Sequence, residues 1–365
     1  MNIEFAGIAA QTRRLRRGID SRMTKVIDHG MFIRGPEVDE LERLLSSFVG
    51  VPHCVSCANG TDALQLSLMA LGVGRGDEVI VPAFSFFATA EAVLLVGAEP
   101  VFVDIDPVTF CMDVALVERA ITARTRAIIM VSLFGQCPDV DTLTDIKSSR
   151  GLALIEDAAQ SFGATYKGKR SCSLSDIACT SFFPSKPLGC FGDGGAIFTP
   201  DSGLGERLLA LSQHGQTRRY HHEYIGMNSR LDTLQAAVLL EKLTVFEDEI
   251  AARVQVAGWY GEELDGLPLT LPCVAEGNVS AWAQYTIRVE RRDSLAAALR
   301  QSGIPTAVHY PMALHQQGAI RSASSMPVAE RAAAEVLSLP MHPYLQRDDI
   351  ARIGHVIRKY WSING

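Results

Sequence analysis

The stretch Ser181-Phe-Phe-Pro-Ser-Lys186-Pro-Leu-Gly189, followed by the glycine-rich segment Cys190-Phe-Gly-Asp-Gly-Gly195, organises the predicted fold. The apolar run 177–183 predicts a strand that leads into a turn at Lys186, and a second apolar strand follows the glycines. Ligand sites of α/β proteins lie at such strand ends. An amine among apolar residues there can keep a low pKa and form an imine with an aldehyde. A single lysine in this position is more often a surface residue of a loop, so its interpretation depends on what accompanies it.

Two acidic residues end an earlier apolar strand. The strand predicted at 152–155 is followed directly by Glu156 and Asp157. A carboxylate at a strand end can hold a proton on a pyridine nitrogen, and the protonated ring then acts as an electron sink. The alternative is an aspartate that only caps the next turn. Taken alone, the capping interpretation is the commoner one.

A third strand end carries Asn59-Gly60-Thr61. A strand predicted at 53–56 leads to these residues, and a helix rich in leucine begins at Thr61. The exposed backbone N–H groups and the positive end of the helix dipole make such a turn suitable for a phosphate group. The alternative is an ordinary helix cap without a ligand.

In chain order the three motifs, Asn59–Leu64, Glu156–Ser161 and Ser181–Gly189, resemble the signatures of the DegT/DnrJ/StrS sugar aminotransferases, which are fold type I enzymes that use pyridoxal 5′-phosphate. The similarity runs from about residue 20 to the C-terminus. It implies that Lys186 binds the cofactor as a Schiff base and that Asp157 keeps its pyridine nitrogen protonated. Gly60, Thr61 and Ser181 would bind its phosphate. Relatives with histidine in place of the lysine act as dehydratases, so Lys186 favours transamination.

The resemblance also assigns roles to residues outside these motifs. Phe86 would stack on one face of the pyridine ring and Ala159 on the other, while Gln160 would form a hydrogen bond with the phenolic oxygen. From burial habit alone, an aromatic residue such as Phe86 is more often part of a core. In relatives the loop that contains the position of Asn228 crosses to the partner subunit and contacts the phosphate there. The implied assembly is a homodimer with shared active sites.

Four residues are candidates for binding the substrate. Arg230 could pair with a carboxylate of glutamate or of a uronic-acid sugar, or form a salt bridge between subunits. His309 and Tyr310 match a family segment that approaches the sugar, although a histidine beside a strand is often structural. Arg34, together with the loop Arg218–His222, could neutralise a pyrophosphate group.

The sequence is most similar to the branch of the family that aminates C3 of UDP-2-acetamido-2-deoxy-3-oxo-D-glucuronic acid, with glutamate as the usual donor, in O-antigen sugar biosynthesis. The segments that carry this closer resemblance are Gly35–Val38, Cys57–Leu64, Lys169–Cys172 and Arg218–His222. Phe86 departs from the branch, where tyrosine is frequent. Two alternatives stay open. One is an aminotransferase for a 4-keto-6-deoxy nucleotide sugar or a cyclitol, and the other is a non-catalytic regulator that binds the cofactor.

Length and residue pattern indicate a globular protein of two domains. The chain has 365 residues, 47% of them hydrophobic and 21% charged, which is enough to bury a large core. Alternating strand and helix signals over 37–155 predict a mostly parallel α/β sheet, and the resemblance implies seven strands. We expect a large cofactor-binding domain at residues 1–245 and a small α+β domain at residues 246–365.

Composition also excludes several classes of protein. The net charge of −7 argues against a general nucleic-acid-binding protein. The most apolar region, 79–103, is interrupted by prolines, a glutamate and a glycine, so we expect no membrane span. The eight cysteines lack the pattern of a small secreted domain, which favours the cytoplasm. Cys54-x-x-Cys57 has no partner ligands at metal-site spacing, so we expect no metal.

Overall fold

Short apolar runs separated by helices build a central seven-stranded sheet in the computed structural model, which describes residues 3–320, 322 and 324–364. The strands of the chain are β1 (His53–Cys57), β2 (Glu78–Pro82), β3 (Glu99–Val103), β4 (Thr125–Val131), β5 (Ala153–Asp157), β6 (Thr165–Tyr166), β7 (Lys169–Arg170), β8 (Ile177–Ser181), β9 (Gly195–Thr199), β10 (Gln216–Arg218), β11 (His221–His222), β12 (Asn278–Val279), β13 (Tyr285–Arg288) and β14 (Val336–Leu339). The main sheet has the order β1-β9-β8-β5-β4-β2-β3. Strand β9 is antiparallel to both of its neighbours, and the other neighbouring pairs are parallel. The predicted mostly parallel sheet is confirmed.

Helices cover both faces of this sheet. They are α1 (Ile8–His29), α2 (Pro36–Val49), α3 (Gly60–Ala70), α4 (Ala88–Leu95), α5 (Val114–Ala120), α6 (Val140–Arg150), α7 (Ser202–Ser212), α8 (Thr233–Leu243), α9 (Phe246–Leu264), α10 (Arg292–Gln301), α11 (Pro327–Glu335) and α12 (Arg347–Asn364). Alternate residues of β4 point to opposite faces, so Ile129 packs with α3 and α4 whereas Ile128 packs with α5 and α6. Burial of the sheet on both sides explains why its strands read as continuous apolar runs.

The C-terminal part of the chain has a core of its own. Antiparallel strands β13 and β14 pack with α9, α10 and α12 around residues such as Tyr260, Ile287 and Ile353. Ile3, near the N-terminus, also packs in this core. The division into residues 1–245 and 246–365 stays a prediction. No helix in the described part of the chain combines the length and the apolar character needed to cross a membrane.

The strand before Lys186 is shorter than the sequence predicts. The apolar run 177–183 predicts a strand to Phe183, but β8 ends at Ser181. Beyond it, the N–H of Phe182 donates to Gly194 O, and the N–H of Lys186 donates to Phe183 O. The chain therefore turns before the apolar run is finished, helped by a proline at position 184 that has no N–H to give to a ladder.

Candidate active site

The carboxyl ends of several parallel strands meet at one edge of the sheet and enclose a cavity of about 450 Å³. Residues that follow β1, β2, β5 and β8 form one side of it, and a segment after α10 closes the other side. The predicted site residues that line it are Gly60, Thr61, Phe86, Asp157, Ala159, Gln160, Ser181, Lys186, His309 and Tyr310. The fold thus brings together residues that are far apart in the sequence. Gly60 and Tyr310, for example, are separated by 250 positions.

Lys186 lies in the turn between β8 and β9 and reaches into this cavity. Burial of its ammonium group lowers the pKa of Lys186, and the negative charge of Asp157 partly opposes that shift. The neutral amine is the form that attacks an aldehyde and accepts a proton. Its burial therefore favours the chemistry that the sequence predicts for it.

Asp157 is the last residue of β5, and its carboxylate is held by two hydrogen bonds. The Thr89 hydroxyl donates to Oδ2 (2.9 Å), and the Ala159 N–H donates to Oδ1 (3.2 Å). Thr89 in turn lies 3.0 Å from the Ser85 hydroxyl. Burial raises the pKa of Asp157, while these hydrogen bonds and the charge of Lys186 act in the opposite direction. The carboxylate is therefore held in place in the cavity lining and interacts electrostatically with the Lys186 amine.

Gln160, Tyr310 and Phe86 form the aromatic side of the cavity. Gln160 Oε1 accepts a hydrogen bond from Phe134 N (2.9 Å), and its Nε2 donates to Tyr310 Oη (2.9 Å). The ring centroids of Tyr310 and Phe86 lie 5.9 Å apart, and Phe86 is 55% exposed. An exposed aromatic face at the cavity mouth provides a surface on which a planar ring can stack.

The N-terminus of α3 and the end of β8 approach each other closely enough to require glycine. A Cβ atom at Gly60 would lie 2.8 Å from Ser181 Cβ, so any side chain there would fill the space. The Asn59 side chain caps the helix by accepting from Asp62 N (2.8 Å). Ser181 Oγ accepts from Phe183 N (3.2 Å), a bond that does not use the hydroxyl hydrogen. The turn presents hydroxyl and N–H donors to an anion at the positive end of a helix.

His309 lies at the far side of the cavity in its neutral form. Its Nδ1 is 2.9 Å from the Ser338 hydroxyl. Burial, and then the nearby charge of Lys186, lowers the pKa of His309 to about 4. At neutral pH this ring offers a hydrogen-bonding group without a charge.

This donor set fits pyridoxal 5′-phosphate. The cofactor carries an aldehyde, a basic pyridine nitrogen and a phosphate. The amine of Lys186, the fixed carboxylate of Asp157 and the tight turn at Gly60 all line the same cavity. The individual role of each residue stays a prediction.

Asn228 and Arg230 do not line this cavity within the same chain. They line a neighbouring, shallower cavity of about 570 Å³, and only Asp193 is shared between the two linings. Ser229 between them is buried, and its hydroxyl accepts from Ala58 N (3.1 Å), beside the phosphate turn. The two side chains therefore sit just outside the active-site edge.

Arg34 lines neither of these two cavities. Its guanidinium forms ion pairs with Glu42 (2.6 Å) and Asp39 (3.1 Å). Glu42 also accepts hydrogen bonds from the backbone and hydroxyl of Ser56. A pyrophosphate would have to compete with these carboxylates, and the assignment of Arg34 stays a prediction.

Sequence reasoning missed Thr89 and Gln284. Thr89, in the first turn of α4, holds the Asp157 carboxylate, and the hydroxyl residues Ser85 and Thr89 are the polar positions of the otherwise apolar stretch 83–90, which was an available signal. Gln284 lines the cavity beside Tyr310. No motif marks it, because it approaches the site only through the packing of the C-terminal part of the chain.

The fold and the site together define an aminotransferase that uses pyridoxal 5′-phosphate. Residues 14–358 match the DegT/DnrJ/EryC1/StrS aminotransferase family, and the chain belongs to it. It is 56% identical to the UDP-2-acetamido-2-deoxy-3-oxo-D-glucuronate aminotransferase of Pseudomonas aeruginosa over 349 residues, which cover 95% of this chain and 97% of that protein. It is 45% identical to the UDP-N-acetyl-3-dehydro-α-D-glucosamine 3-aminotransferase of Acidithiobacillus ferrooxidans, over 98% of this chain and 97% of that protein.

A solved structure supports both the fold and the cofactor. NtdA of Bacillus subtilis with bound cofactor PMP superposes with a TM-score of 0.89 at 33% identity, covering 98% of this chain and 85% of that one. The predicted fold type I architecture and the predicted cofactor, in its pyridoxal and pyridoxamine 5′-phosphate forms, are confirmed.

Proposed function

We propose that this enzyme transfers the amino group of L-glutamate to C3 of UDP-2-acetamido-2-deoxy-3-oxo-D-glucuronic acid, so that glutamate leaves as 2-oxoglutarate and the C3 ketone becomes an amine. The observation that carries the proposal is 56% identity along almost the full length of a relative named for that substrate. The cavity supports it because the amine, the carboxylate and the phosphate turn of an aminotransferase are all present. The product would be an amino sugar for a cell-surface polysaccharide such as an O-antigen. An aminotransferase for a 4-keto-6-deoxy sugar or a cyclitol is the alternative.

We assign a separate role in the reaction to Lys186, to Asp157 and to the residues near the phosphate. Bound pyridoxal 5′-phosphate supplies an aldehyde for the amine and a ring that accepts an electron pair. We assign the covalent attachment of the cofactor to Lys186. The same amine, once released, carries the proton from the glutamate Cα in the first half-reaction, and it returns a proton to sugar C3 in the second. Asp157 keeps the proton on the ring nitrogen, and Gly60, Thr61 and Ser181 hold the phosphate end.

The proposed homodimer would complete the site with Asn228 and Arg230 from the partner subunit. These residues lie beside an exposed apolar surface formed by Phe32, Ile33 and Phe191. Both segments are bound to the first turn of α8, because the N–H of Thr233 donates to Phe32 O and Gln235 Oε1 accepts from Phe191 N (2.8 Å). An apolar patch that borders residues of an active site is typical of a surface between subunits.

We also propose that the reaction takes place in the cytoplasm. All eight cysteines are free, and most of them are buried among apolar residues. Burial raises the pKa of several of these thiols, for example Cys190 to about 11. Thiols of this kind suit a reducing compartment.

The two half-reactions test the proposed function directly. Adding glutamate to the purified holoenzyme is expected to abolish the visible absorbance of the lysine-bound cofactor. Subsequent addition of the 3-oxo uronate is expected to restore it, and mass spectrometry is expected to identify the 3-amino sugar. If glutamate acts but only a 4-keto-6-deoxy sugar nucleotide restores the band, the proposed substrate is wrong. The matched control is UDP-N-acetyl-3-oxo-glucosamine, which has the same sugar ring and nucleotide but lacks the C6 carboxylate.

Arg230 is expected to recognise the C6 carboxylate of the uronate. Arg230→Ala should raise the KM for the uronate about 10- to 100-fold, because a charged hydrogen-bonding group contributes about 1.5–3 kcal/mol. The KM for UDP-N-acetyl-3-oxo-glucosamine, which has no carboxylate at C6, should change about twofold or less. Arg230→Lys keeps the charge without the bidentate geometry and should lie between the two. Equal losses with both sugars would instead support a salt bridge between subunits.

A further inference from the structure

We propose that Gln284 is a substrate-recognition residue, whose buried side-chain oxygen accepts a hydrogen bond from a donor group beside the sugar carbon that is aminated. The proposal rests on the proposed function, because it names the part of the nucleotide sugar that this residue contacts. It goes beyond the motifs of the family, since Gln284 belongs to none of the segments that carry the resemblance.

The position of Gln284 is fixed from both sides. It precedes β13, whose first residue Tyr285 is buried and stacks on Tyr260 at a centroid distance of 4.4 Å. Because successive side chains of an extended segment point in opposite directions, Gln284 faces the cavity when Tyr285 faces the core. Just upstream, the Ala281 N–H donates to Gly135 O (2.8 Å). This bond connects the segment to the turn at Phe134, whose N–H donates to the Gln160 side chain.

Among the described residues that line the cavity, Gln284 has a side-chain polar atom, Oε1, that is both buried and without a hydrogen-bond partner. Asp157, Gln160 and His309 each form hydrogen bonds with neighbouring side chains or backbone. Gln284 Oε1 is buried, yet among the residues that the structure describes none donates a hydrogen bond to it. Buried acceptors without partners are rare and lower stability. An acceptor left in this state in the cavity that Lys186 also lines is explained by a ligand that supplies the donor.

The chemistry of the ligands selects the sugar as that donor. The phosphate and phenolic oxygens of the cofactor are acceptors, its ring N–H is directed to Asp157 in the proposed arrangement, and the amine of its pyridoxamine form is the group transferred to the sugar. The carboxylates of glutamate are acceptors as well, and its amine is given up in the reaction. The proposed sugar carries two donors next to C3, the C4 hydroxyl and the N–H of the C2 acetamido group. Gln284 Oε1 accepts from one of these two groups while C3 is near Lys186.

Gln284→Met tests this role, because methionine has a similar size and no strong acceptor. The glutamate half-reaction, measured by the loss of visible absorbance, is expected to stay within about twofold of wild type. The kcat/KM of the sugar half-reaction is expected to fall about 10- to 100-fold, because one hydrogen bond to the substrate is lost. The melting temperature of the holoenzyme is expected to be no lower than that of wild type, since an unpartnered oxygen has been removed. Gln301→Met, at an exposed position of α10, is the matched control.

Substrate analogues identify the donor group. Two analogues each lack one donor, the C4 hydroxyl or the C2 acetamido group. With the analogue that lacks the donor bound by Gln284, wild type and Gln284→Met should have equal rates, as in a double-mutant cycle. Equal slowing of both half-reactions with a lower melting temperature would show a structural role and overturn the proposal. An unchanged sugar half-reaction would overturn it too. If wild type does not aminate the uronate, the proposed function fails, and the same comparison is made with UDP-N-acetyl-3-oxo-glucosamine, which keeps both donors. If neither sugar is aminated, both proposals fall.

Discussion

Replacing Lys186 with alanine is expected to abolish the visible absorbance of lysine-bound cofactor and to lower kcat of the complete transamination by about 10⁴-fold or more. Two functions are lost at once, because the same amine holds the cofactor and transfers the proton. The side chain ends in a cavity, so its removal leaves the packing of the strands unchanged and the protein should fold. Absorbance spectra and single-turnover rates with glutamate measure both effects.

The control for this variant is a lysine far from the site. Lys359→Ala, at an exposed position of α12, should leave both spectrum and rate unchanged. The Lys186 variant should still bind the cofactor without a covalent link, since the phosphate turn and Asp157 are intact. A normal spectrum in Lys186→Ala would disprove the central assignment of the site.

The same variant tests whether active sites are shared between subunits. Lys186→Ala and Arg230→Ala chains are each expected to be poor catalysts with low concentrations of the uronate. In a mixed dimer, one of the two sites would combine an intact Lys186 with an intact Arg230. Refolding the two variants together should therefore restore about a quarter of the wild-type sites, because about half of randomly formed dimers are mixed. Activity that does not exceed the sum of the separate variants would contradict a shared site.

The part of the site that lies at strand ends could be predicted from the sequence. Asp157 follows one apolar run and Ser181 lies near the end of another, and parallel strands deliver their carboxyl ends to one edge of a sheet. Local signals therefore sufficed to bring them near the phosphate turn at Gly60. The family resemblance was still needed to distinguish a catalytic Lys186 from an ordinary loop lysine.

Contacts between distant segments could not be predicted in this way. Gln160 meets Tyr310, which is 150 positions further along the chain, and the unpartnered oxygen of Gln284 depends on the packing of β13. Neither arrangement has a periodic or compositional signature. The position of Asn228 and Arg230 outside the cavity of their own chain likewise follows from tertiary packing rather than from a motif.

Asp157→Asn is the second variant for which we expect a large loss. Asparagine keeps the shape of the side chain but cannot hold the proton on the pyridine nitrogen by charge. The ring then accepts the electron pair less well, and kcat of both half-reactions should fall about 10²- to 10³-fold, as when a preorganised electrostatic group is removed. Lys186 also loses the charge that raises its pKa, so its pKa should decrease further in the cofactor-free enzyme.

The pH dependence of cofactor binding should also differ between wild type and Asp157→Asn. Burial raises the pKa of Asp157 in the free protein, so protonation removes its charge at a higher pH than for an exposed aspartate. Cofactor binding by wild type should accordingly weaken as the pH falls through that raised pKa. In Asp157→Asn this acid-side decrease should be absent, because the residue does not titrate. Cofactor titrations monitored by absorbance at several pH values measure the difference.

Glu156, the neighbouring carboxyl group, is the matched control. It points to the opposite side of β5, where it accepts hydrogen bonds from the Ser132 and Ser171 hydroxyls (3.0 and 2.6 Å) and from Cys172 N (2.9 Å). Glu156→Gln cannot accept all of these bonds and should cost about 1–3 kcal/mol of stability, with a nearly unchanged rate in the folded enzyme. Two adjacent acids would thereby separate into one that supports the chemistry and one that supports the fold. If Glu156→Gln instead impaired the rate as severely as Asp157→Asn, the assignment of the pyridine proton to Asp157 would be wrong.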